Sequence, residues 1–447
     1  MGEIAGFHVD EIEFTRDGPA ADPGRADAFV GSVEQREPTD LLVLAHGWNN
    51  DMAQARTLFA AWLEVARAAI PRQGWGPEDR TIDVLAVLWP SKKFADADLI
   101  AGGAAGLVPQ PAGDDVAALV AQIDVLDDLA SPSELDELRS LAPRLAADRA
   151  ARDRFVEISA QILDRTEADI VAGSDALPAF DTPDGTLLER LRDPAESGLP
   201  PAPGDEGGAA VLGTRPEAGP DGGAAGISDL WHDAVGAARD LLNYLTYYTM
   251  KNRAGLVGRR GVAPILARLE ALPKPPRVHL VGHSFGARLA TAAVLGPEAG
   301  APNAVNTLVL LQAAFSHNAF AQDFDGPRDG AFRSVVAPSR CVRGPIMITH
   351  THNDTAVGIA YAIASRIAHQ DAALIGGPED RYGGLGRNGA VHTPEAFGRP
   401  MLPVGKDYEA LDQHEIHNLL ADQFIGGHGD VRGPEVGEII VQALAAT

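Results

Sequence analysis

A serine stands between two glycines in Arg277-Val-His-Leu-Val-Gly-His-Ser-Phe-Gly-Ala-Arg-Leu-Ala290, the stretch that decides the fold. It follows a short apolar run and precedes an alanine-rich, helix-like segment. A serine at such a tight strand-to-helix turn has a strained backbone, and the flanking Gly282 and Gly286 avoid collisions that a Cβ would cause. The pattern predicts a nucleophile elbow with Ser284 as the nucleophile.

The Gly-x-Ser-x-Gly pattern alone is weak evidence, because a chain with 48 glycines produces chance matches. The neighbouring sequence strengthens it. Three prolines between residues 273 and 276 end the preceding helix, Val278 to Val281 is typical of a buried strand, and Gly286 to Leu295 is typical of a helix. The alternative is a glycine-rich turn with an incidental serine.

Apolar runs of strand length recur along the chain and are separated by segments of helix length. Such alternation is typical of a parallel sheet covered by helices. A helix N-capped by Asp51 is expected to cover one sheet face with the apolar side chains between Leu58 and Ile70. We therefore predict an α/β fold with a doubly wound, mostly parallel sheet. The predicted strands are Thr39 to Ala45, Thr81 to Leu88, Val278 to Val281, Asn306 to Leu311 and Pro345 to Thr351.

The alternation stops after residue 93 and resumes near residue 228. We therefore assign residues 1–93 and 228–447 to the core and residues 94–227 to an insertion. Amphipathic stripes and a capping-box pattern at Ser131 to Glu134 predict two or three helices in the insertion. The Gly/Pro-rich tract that follows has too few large apolar side chains to offset the entropy of ordering, so we expect a mobile loop.

Composition excludes several classes of protein. The formal net charge of -25 would repel phosphate backbones, so we expect no nucleic-acid partner. No apolar stretch is long enough to cross a bilayer, and the first residues lack the pattern of a secretory signal, so we expect no integral membrane segment and a cytoplasmic protein. Cys341 is the only cysteine, which excludes intrachain disulfides and cysteine-based metal sites.

Nucleophilic chemistry at a serine requires a base, a group that orients the base, and donors for the developing oxyanion. Asp354 follows the strand Pro345 to Thr351 and is the expected acid. His428 lies in the glycine-flanked segment Phe424 to Val431, before a final helix from Pro434 to Ala445, and is the expected base. The amides of Trp48, in the loop His46-Gly-Trp-Asn-Asn50, and of Phe285 are the expected oxyanion donors.

The order Ser284, Asp354, His428 agrees with the order expected for an elbow on a doubly wound sheet. The chain thereby resembles the α/β-hydrolase superfamily, and within it a bacterial branch with an HG(Y/W)NN loop, a Trp-Pro-Ser after the next strand, and GHSxG. These motifs are His46 to Asn50, Trp89-Pro90-Ser91 and Gly282 to Gly286. The resemblance covers about residues 38 to 93 and 228 to 447, and it implies Ser/His/Asp hydrolase chemistry with a cap over the active site.

Three alternatives compete for parts of this site. The spacing of His350, His352 and Asp354 also matches a metal-binding H-x-H-x-D pattern. Asp323 or Asp325 offers a carboxylate after the preceding strand. His417, with His414 beside it at an expected helix start, competes as the base.

The remaining candidates have supporting roles. We expect His283 to pack beside the nucleophile and His46 to support its own loop. A further group of aromatic side chains lines an acyl pocket or belongs to the core: Trp231, Tyr244, Tyr247 and Tyr248.

The sequence thus predicts a serine hydrolase that cleaves carboxylic esters of small molecules through an acyl-enzyme, with neither a metal nor an organic cofactor. Two alternatives stay open. One is a catalytically silent binding or scaffold protein with the same fold. The other is an acyltransferase or peptidase that uses the same residues. The helices of the insertion are expected to form a lid that limits which acyl or alcohol group enters.

Overall fold

The computed structural model describes most of the core and part of the insertion. The described residues are 2–75, 79–91, 112–124, 126–127, 129–167, 188, 227–297, 300–337, 340–354, 356–357, 383–411 and 415–447.

Within these ranges, nine strands form one sheet in the order β1-β2-β4-β3-β5-β6-β7-β9-β8. The β1 strand pairs antiparallel with β2, and all other neighbours are parallel. The strands are β1 (Gly2–Ile4), β2 (Phe7–Glu13), β3 (Asp40–Ala45), β4 (Ile82–Leu88), β5 (Arg277–His283), β6 (Thr307–Leu311), β7 (Ile346–His350), β8 (Ala396–Pro400) and β9 (Ile416–Leu420).

Eleven α-helices lie in the described ranges, with short 3₁₀ segments at Ile70–Gln73 and Ala142–Arg144 and a π-helical segment at Val257–Val262. The α-helices are α1 (Pro23–Arg36), α2 (Met52–Ala69), α3 (Ala112–Asp124), α4 (Pro132–Leu141), α5 (Arg149–Glu167), α6 (Ile227–Leu256), α7 (Ala263–Glu270), α8 (Phe285–Val294), α9 (Arg333–Val336), α10 (Leu385–Asn388) and α11 (Pro434–Ala445). No helix in the described ranges combines the length and the hydropathy needed to span a bilayer.

Helices cover both faces of the sheet, as the predicted α/β architecture requires. Along β3, Leu41 and Val43 belong to the core on the face of α1, α6, α7 and α8. The alternate residues Leu42 and Leu44 belong to the core on the face of α2 and α11. This alternation follows from the two-residue period of a strand, and a strand buried on both sides needs apolar residues throughout.

The strand order reverses beside β3. The chain passes from β3 to β4 on one side of it and later places β5 on the other side, followed outward by β6 and β7. Connections that diverge in this way leave a crevice at the carboxyl ends of the two strands. Ala45 pairs with Gly282 at these ends, so the loop after β3 lies beside Ser284.

The opposite end of the sheet carries a buried ionic cluster around Asp40. Its carboxylate accepts hydrogen bonds from His279 Nε2 at 3.0 Å, Arg277 Nη2 at 2.9 Å and Thr39 Oγ1 at 2.6 Å. Burial, the largest single influence, raises the pKa of Asp40, but the hydrogen bonds together outweigh it and lower that pKa to about 2. The charged carboxylate therefore stabilises the start of β3 against β5.

The five predicted strands correspond to β3 through β7, and the predicted final helix is α11. Asp51 caps α2 in a full capping box with Gln54, as the sequence indicates. The prediction of a helix start around His414 and His417 was wrong: His417 lies in strand β9, and His414 lies outside the described residues. Strands β1, β2, β8 and β9 were not predicted.

Three helices of the insertion, α3 to α5, are described. Ser131 caps α4 through a capping box with Glu134. Apolar side chains of these helices, among them Leu119, Leu138 and Phe155, share one core with side chains of α6. The expected Gly/Pro-rich mobile tract lies outside the described residues.

Candidate active site

The elbow at Ser284 has the geometry that its sequence predicts. Ser284 joins β5 to α8 with φ 56° and ψ -122°, a conformation that costs energy for a residue with a Cβ. A Cβ on Gly282 would collide with the carbonyl oxygen of Gly286, and one on Gly286 would collide with that of Ala45. Both glycines are therefore required by close backbone approach.

The three predicted reactive side chains meet at this elbow. Nε2 of His428 lies 2.8 Å from Oγ of Ser284, and Nδ1 of His428 lies 2.8 Å from Oδ2 of Asp354. Exposed fractions are 3% for Ser284, 2% for His428 and 0% for Asp354. Side chains from the ends of β5, β7 and β9, up to 144 residues apart in sequence, thus form one hydrogen-bonded relay.

Asp354 is held by further donors besides the imidazole. The side-chain amide of Gln312 donates from Nε2 to Oδ2 of Asp354 at 3.1 Å, and the backbone amide of Val357 donates to Oδ1 at 2.9 Å. Because all of these groups are donors, the site fits an ionised carboxylate better than a neutral carboxyl. The imidazole Nδ1 accordingly carries a proton, and Nε2 faces Ser284 as an acceptor.

The loop after β3 lies directly against the nucleophile. A Cβ built on Gly47 would be 2.9 Å from Cβ of Ser284 and 2.9 Å from Nδ1 of His283. Trp48, the next residue, therefore has its backbone amide close to the elbow. Phe285 is the first residue of α8, where helix geometry supplies no intrahelical acceptor for the amide. Both predicted oxyanion donors thus lie beside Ser284.

Hydrogen bonds to the segment after β4 hold this loop in shape. His46 donates from Nδ1 to the carbonyl of Gly47 at 3.0 Å and accepts at Nε2 from the amide of Trp89 at 3.2 Å. Burial lowers the pKa of His46 to about 4, so the ring stays neutral near pH 7. Ser91 donates to the carbonyl of Asn50 at 2.8 Å. His46 therefore supports the loop, as expected.

His283 packs beside the base. Its ring centroid lies 4.9 Å from that of His428, and its Nε2 donates to the carbonyl oxygen of His428 at 2.8 Å. Burial is the main reason that the pKa of His283 falls to about 3. A ring that stays neutral near pH 7 therefore holds the backbone of His428.

Three aromatic rings, two of them from the residues of the predicted oxyanion donors, pack against one another. The ring of Tyr247 lies 4.8 Å from that of Phe285 and 6.0 Å from that of Trp48. These three side chains are buried, and Tyr247 brings helix α6 to the nucleophile. The side chains of Trp231, Tyr244 and Tyr248 lie outside the described residues.

Asp422 joins the loops that carry Asp354 and His428, the predicted acid and base. Its Oδ1 accepts from Oγ1 of Thr351 at 2.8 Å and from the amide of His352 at 2.9 Å, and its Oδ2 lies 2.9 Å from Nδ1 of His352. Asn353 Nδ2 donates to the carbonyl of Ile425 at 3.0 Å. These contacts fix the segment before Asp354 against the segment before His428.

The structure does not bring together the three residues of the metal-binding pattern, His350, His352 and Asp354. His352 is exposed and turned to Asp422, whereas Asp354 is buried against His428. Within the ranges that the structure describes, no three His, Cys, Asp or Glu side chains form a group that could hold a metal ion.

The competing acids and base lie elsewhere. Asp323 is exposed, and Asp325 pairs with Arg328 at 3.5 Å. His417 is buried on β9, next to the edge strand β8, where its Nε2 lies 3.4 Å from the carbonyl oxygen of Leu411. The relay therefore contains Asp354 and His428 rather than these candidates.

Sequence reasoning missed Gln312 and Asp422. Both are polar residues directly after, or two residues after, an apolar strand, which places them at the carboxyl edge of the sheet. That position is the signal that could have identified them, since ligand and catalytic groups of open α/β sheets gather at this edge.

No protein-family model, curated protein or solved structure matches this chain.

Proposed function

We propose that this protein is a serine hydrolase of the α/β-hydrolase type that cleaves carboxylic esters through an acyl-enzyme. The observation that carries the proposal is the relay from Ser284 through His428 to Asp354, joined by two hydrogen bonds of 2.8 Å. The resemblance of the HGWNN, Trp-Pro-Ser and GHSFG motifs to that superfamily supports it, as does the position of the serine where the strand order reverses.

In the proposed reaction, Ser284 Oγ attacks the ester carbonyl while Nε2 of His428 removes the hydroxyl proton. Asp354 keeps the Nδ1 tautomer and stabilises the imidazolium that forms. His428 then gives the proton to the leaving alcohol, which completes the acyl-enzyme. A water molecule, deprotonated by His428, releases the acid and restores Ser284.

The amides of Trp48 and Phe285 would stabilise the tetrahedral oxyanion. Removal of one such donor typically costs on the order of 3 kcal/mol of transition-state stabilisation. The close approach of Gly47 to Ser284 supports this role, because it places the loop that carries Trp48 beside the serine.

We also propose that the insertion acts as a cap on the acyl side of the site. Its helices α3 to α5 share a core with α6, and α6 carries Tyr247 to the ring of Phe285. This shared core makes deletion of residues 100 to 225 a poor test, because it would expose apolar side chains of α6. A single substitution inside the insertion, Leu119→Ala, is a better one, because it loosens the shared core without removing the helices. Preference among esters of increasing acyl length should change if the proposal is right.

The decisive experiment is labelling with a fluorophosphonate probe. Wild-type protein should be labelled at Ser284, and Ser284→Ala should abolish both labelling and ester turnover. Turnover near the wild-type rate in Ser284→Ala would reject the proposal. A wild type that is neither labelled nor active, but whose Ser284→Ala variant captures a specific partner, would favour a scaffold protein. Product analysis with added alcohols and peptides separates hydrolysis from acyl transfer and peptide cleavage.

A further inference from the structure

A single segment after β6 contacts both the nucleophile and the acid. We propose that Gln312, the first residue of this segment, is a positioning residue that fixes the carboxylate of Asp354 for proton transfer. The inference rests on the proposed function, because it assigns Gln312 to the same relay.

The side-chain amide of Gln312 can take only one orientation here. Nε2 donates to Oδ2 of Asp354 at 3.1 Å and to the carbonyl oxygen of Gly386 at 2.8 Å. A flipped amide would place its oxygen against two acceptors, which excludes that orientation. Oε1 has no hydrogen-bond partner among the described residues, so this buried amide is used for its donors.

The backbone of Gln312 is strained and well held. Its φ is 42°, a value that few residues other than glycine adopt, and the residue is fully buried. Its amide donates to Oγ1 of Thr349 on the neighbouring strand at 3.1 Å. Strain of this kind persists where the surrounding structure imposes it, and it is commonly found beside functional groups.

The same segment also fixes the nucleophile. The amide of Ser284 donates to the carbonyl of Leu311 at 3.1 Å, and the amide of Ala314 donates to the carbonyl of Ser284 at 3.2 Å. Gln312 lies between these two residues. A single short stretch of chain therefore sets the position of Ser284 through its backbone and the position of Asp354 through a side chain.

The chemical consequence concerns Oδ2, which accepts from both Gln312 and His428. The Gln312 bond at Oδ2 and the Val357 bond at Oδ1 together resist rotation of the carboxylate out of line with Nδ1 of the imidazole. Without the Gln312 bond, the carboxylate also loses a donor that stabilises its charge. The proton relay should then be slower in every step that charges His428.

The first test is Gln312→Met, which keeps the length of the side chain and removes both donors. We expect kcat/KM for an activated ester, and the rate of fluorophosphonate labelling, to fall roughly 10- to 100-fold, mainly through kcat. The matched control is Gln442→Met. Gln442 is also a buried amide, but it bonds Lys406 and Tyr408, away from the relay. The control should keep wild-type kinetics, even with lower thermal stability.

The second test, Gln312→Glu, keeps a donor only while the introduced carboxyl is protonated. Two carboxylates at this separation resist ionising together. The active form of this variant then needs a protonated carboxyl at position 312 and a neutral His428. Protonation of His428 therefore lowers kcat/KM at low pH, and ionisation of the introduced carboxyl lowers it at high pH. The profile of kcat/KM against pH becomes bell-shaped whichever of the two groups has the lower pKa. We expect a descending alkaline limb at a lower pH than any in the wild type.

If the wild type is labelled at Ser284, either of two results would overturn the inference. One is an unchanged kcat/KM in Gln312→Met, and the other is a pH profile of Gln312→Glu with the wild-type shape. A Gln312→Met variant that fails to fold leaves the decision to the Gln312→Glu profile. If the wild type itself is neither labelled nor active, the proposed function fails first. The two failures are therefore distinguishable.

Discussion

Replacing Asp354 with Asn tests the proposed relay most directly, because the two side chains have the same shape and differ in charge and donors. Three donors converge on the carboxylate: His428 Nδ1 and Gln312 Nε2 at Oδ2, and the amide of Val357 at Oδ1. An asparagine must turn its NH₂ group toward at least one of them. Its two orientations have different consequences.

If the asparagine oxygen takes the place of Oδ2, the bonds to His428 and Gln312 remain and the NH₂ group meets the donor of Val357. If the NH₂ group takes that place, it faces another donor, Nε2 of Gln312, and Nδ1 of His428 must accept a hydrogen bond from it. Nε2 would then carry the proton toward Ser284, and the base would be blocked. The first orientation loses fewer hydrogen bonds, so we expect it to predominate.

Even in that orientation the imidazolium formed during the reaction lacks its counter-charge. In a serine protease, the corresponding change leaves the imidazole in the wrong tautomer and lowers kcat about 10⁴-fold, which sets the upper limit here. We expect Asp354→Asn to lower kcat on the order of 10³- to 10⁴-fold, and the unmatched donor to lower the free energy of unfolding by about 1–3 kcal/mol.

The assay is steady-state hydrolysis of an activated ester, with denaturant unfolding measured in parallel. Asp323→Asn is the matched control and should behave as wild type, since Asp323 is exposed. His428→Ala combined with Asp354→Asn should be no slower than His428→Ala alone, because residues of one relay act as a unit. A kcat for Asp354→Asn within ten-fold of the wild type would refute the reasoning.

Two further predictions concern the nucleophile loop and the far end of the sheet. In Gly47→Ala the new Cβ lies 2.9 Å from Cβ of Ser284, so the loop must shift and kcat should fall about ten-fold or more; Gly31→Ala, with nothing within 4 Å, is the control and should keep full activity. Burial raises the pKa of Asp40, but hydrogen bonds outweigh it and lower the pKa from 3.8 to about 2. This carboxylate therefore adds about 2 kcal/mol of stability above pH 4, which is lost as the pH falls toward 2. Between pH 5 and pH 2, the free energy of unfolding measured with denaturant should fall by about 2 kcal/mol less in Asp40→Asn than in the wild type. An equal fall in the two proteins would contradict the lowered pKa of Asp40.

The sequence predicts the middle of the sheet well because its strands are buried on both faces. Strands β3 to β7 are mostly apolar on both faces, with a few charged or polar residues such as Asp40 and His279, and a strand buried on both faces favours such a composition. The N-terminal starts of helices α2 and α4 were predictable for a different reason. Their capping boxes are local, so a few neighbouring residues contain the whole signal.

The edges of the sheet were not predictable in the same way. Strand β8 is only five residues long, contains Gly398 and Pro400, and is largely exposed, so no apolar run marks it. Strand β9 follows a polar segment that includes Glu415, and this segment favours a helix start when taken alone. Pairing of β9 with β7 decides the outcome, and pairing partners are not encoded locally.

The reactive side chains were predictable because each one follows an apolar strand or lies in a glycine-flanked loop, but Gln312 was not recognised. Neighbouring strands are about 4.8 Å apart, so Ser284 after β5 and Asp354 after β7 are separated by about 10 Å of sheet. The imidazole of His428 bridges this distance, and the end of β6 lies between the ends of β5 and β7. A side chain at that end can reach the carboxylate, and Gln312 is long enough to bond it. The place for a donor after β6 thus follows from the position of Asp354 two strands away from Ser284, a fact of sheet order that no local sequence pattern contains.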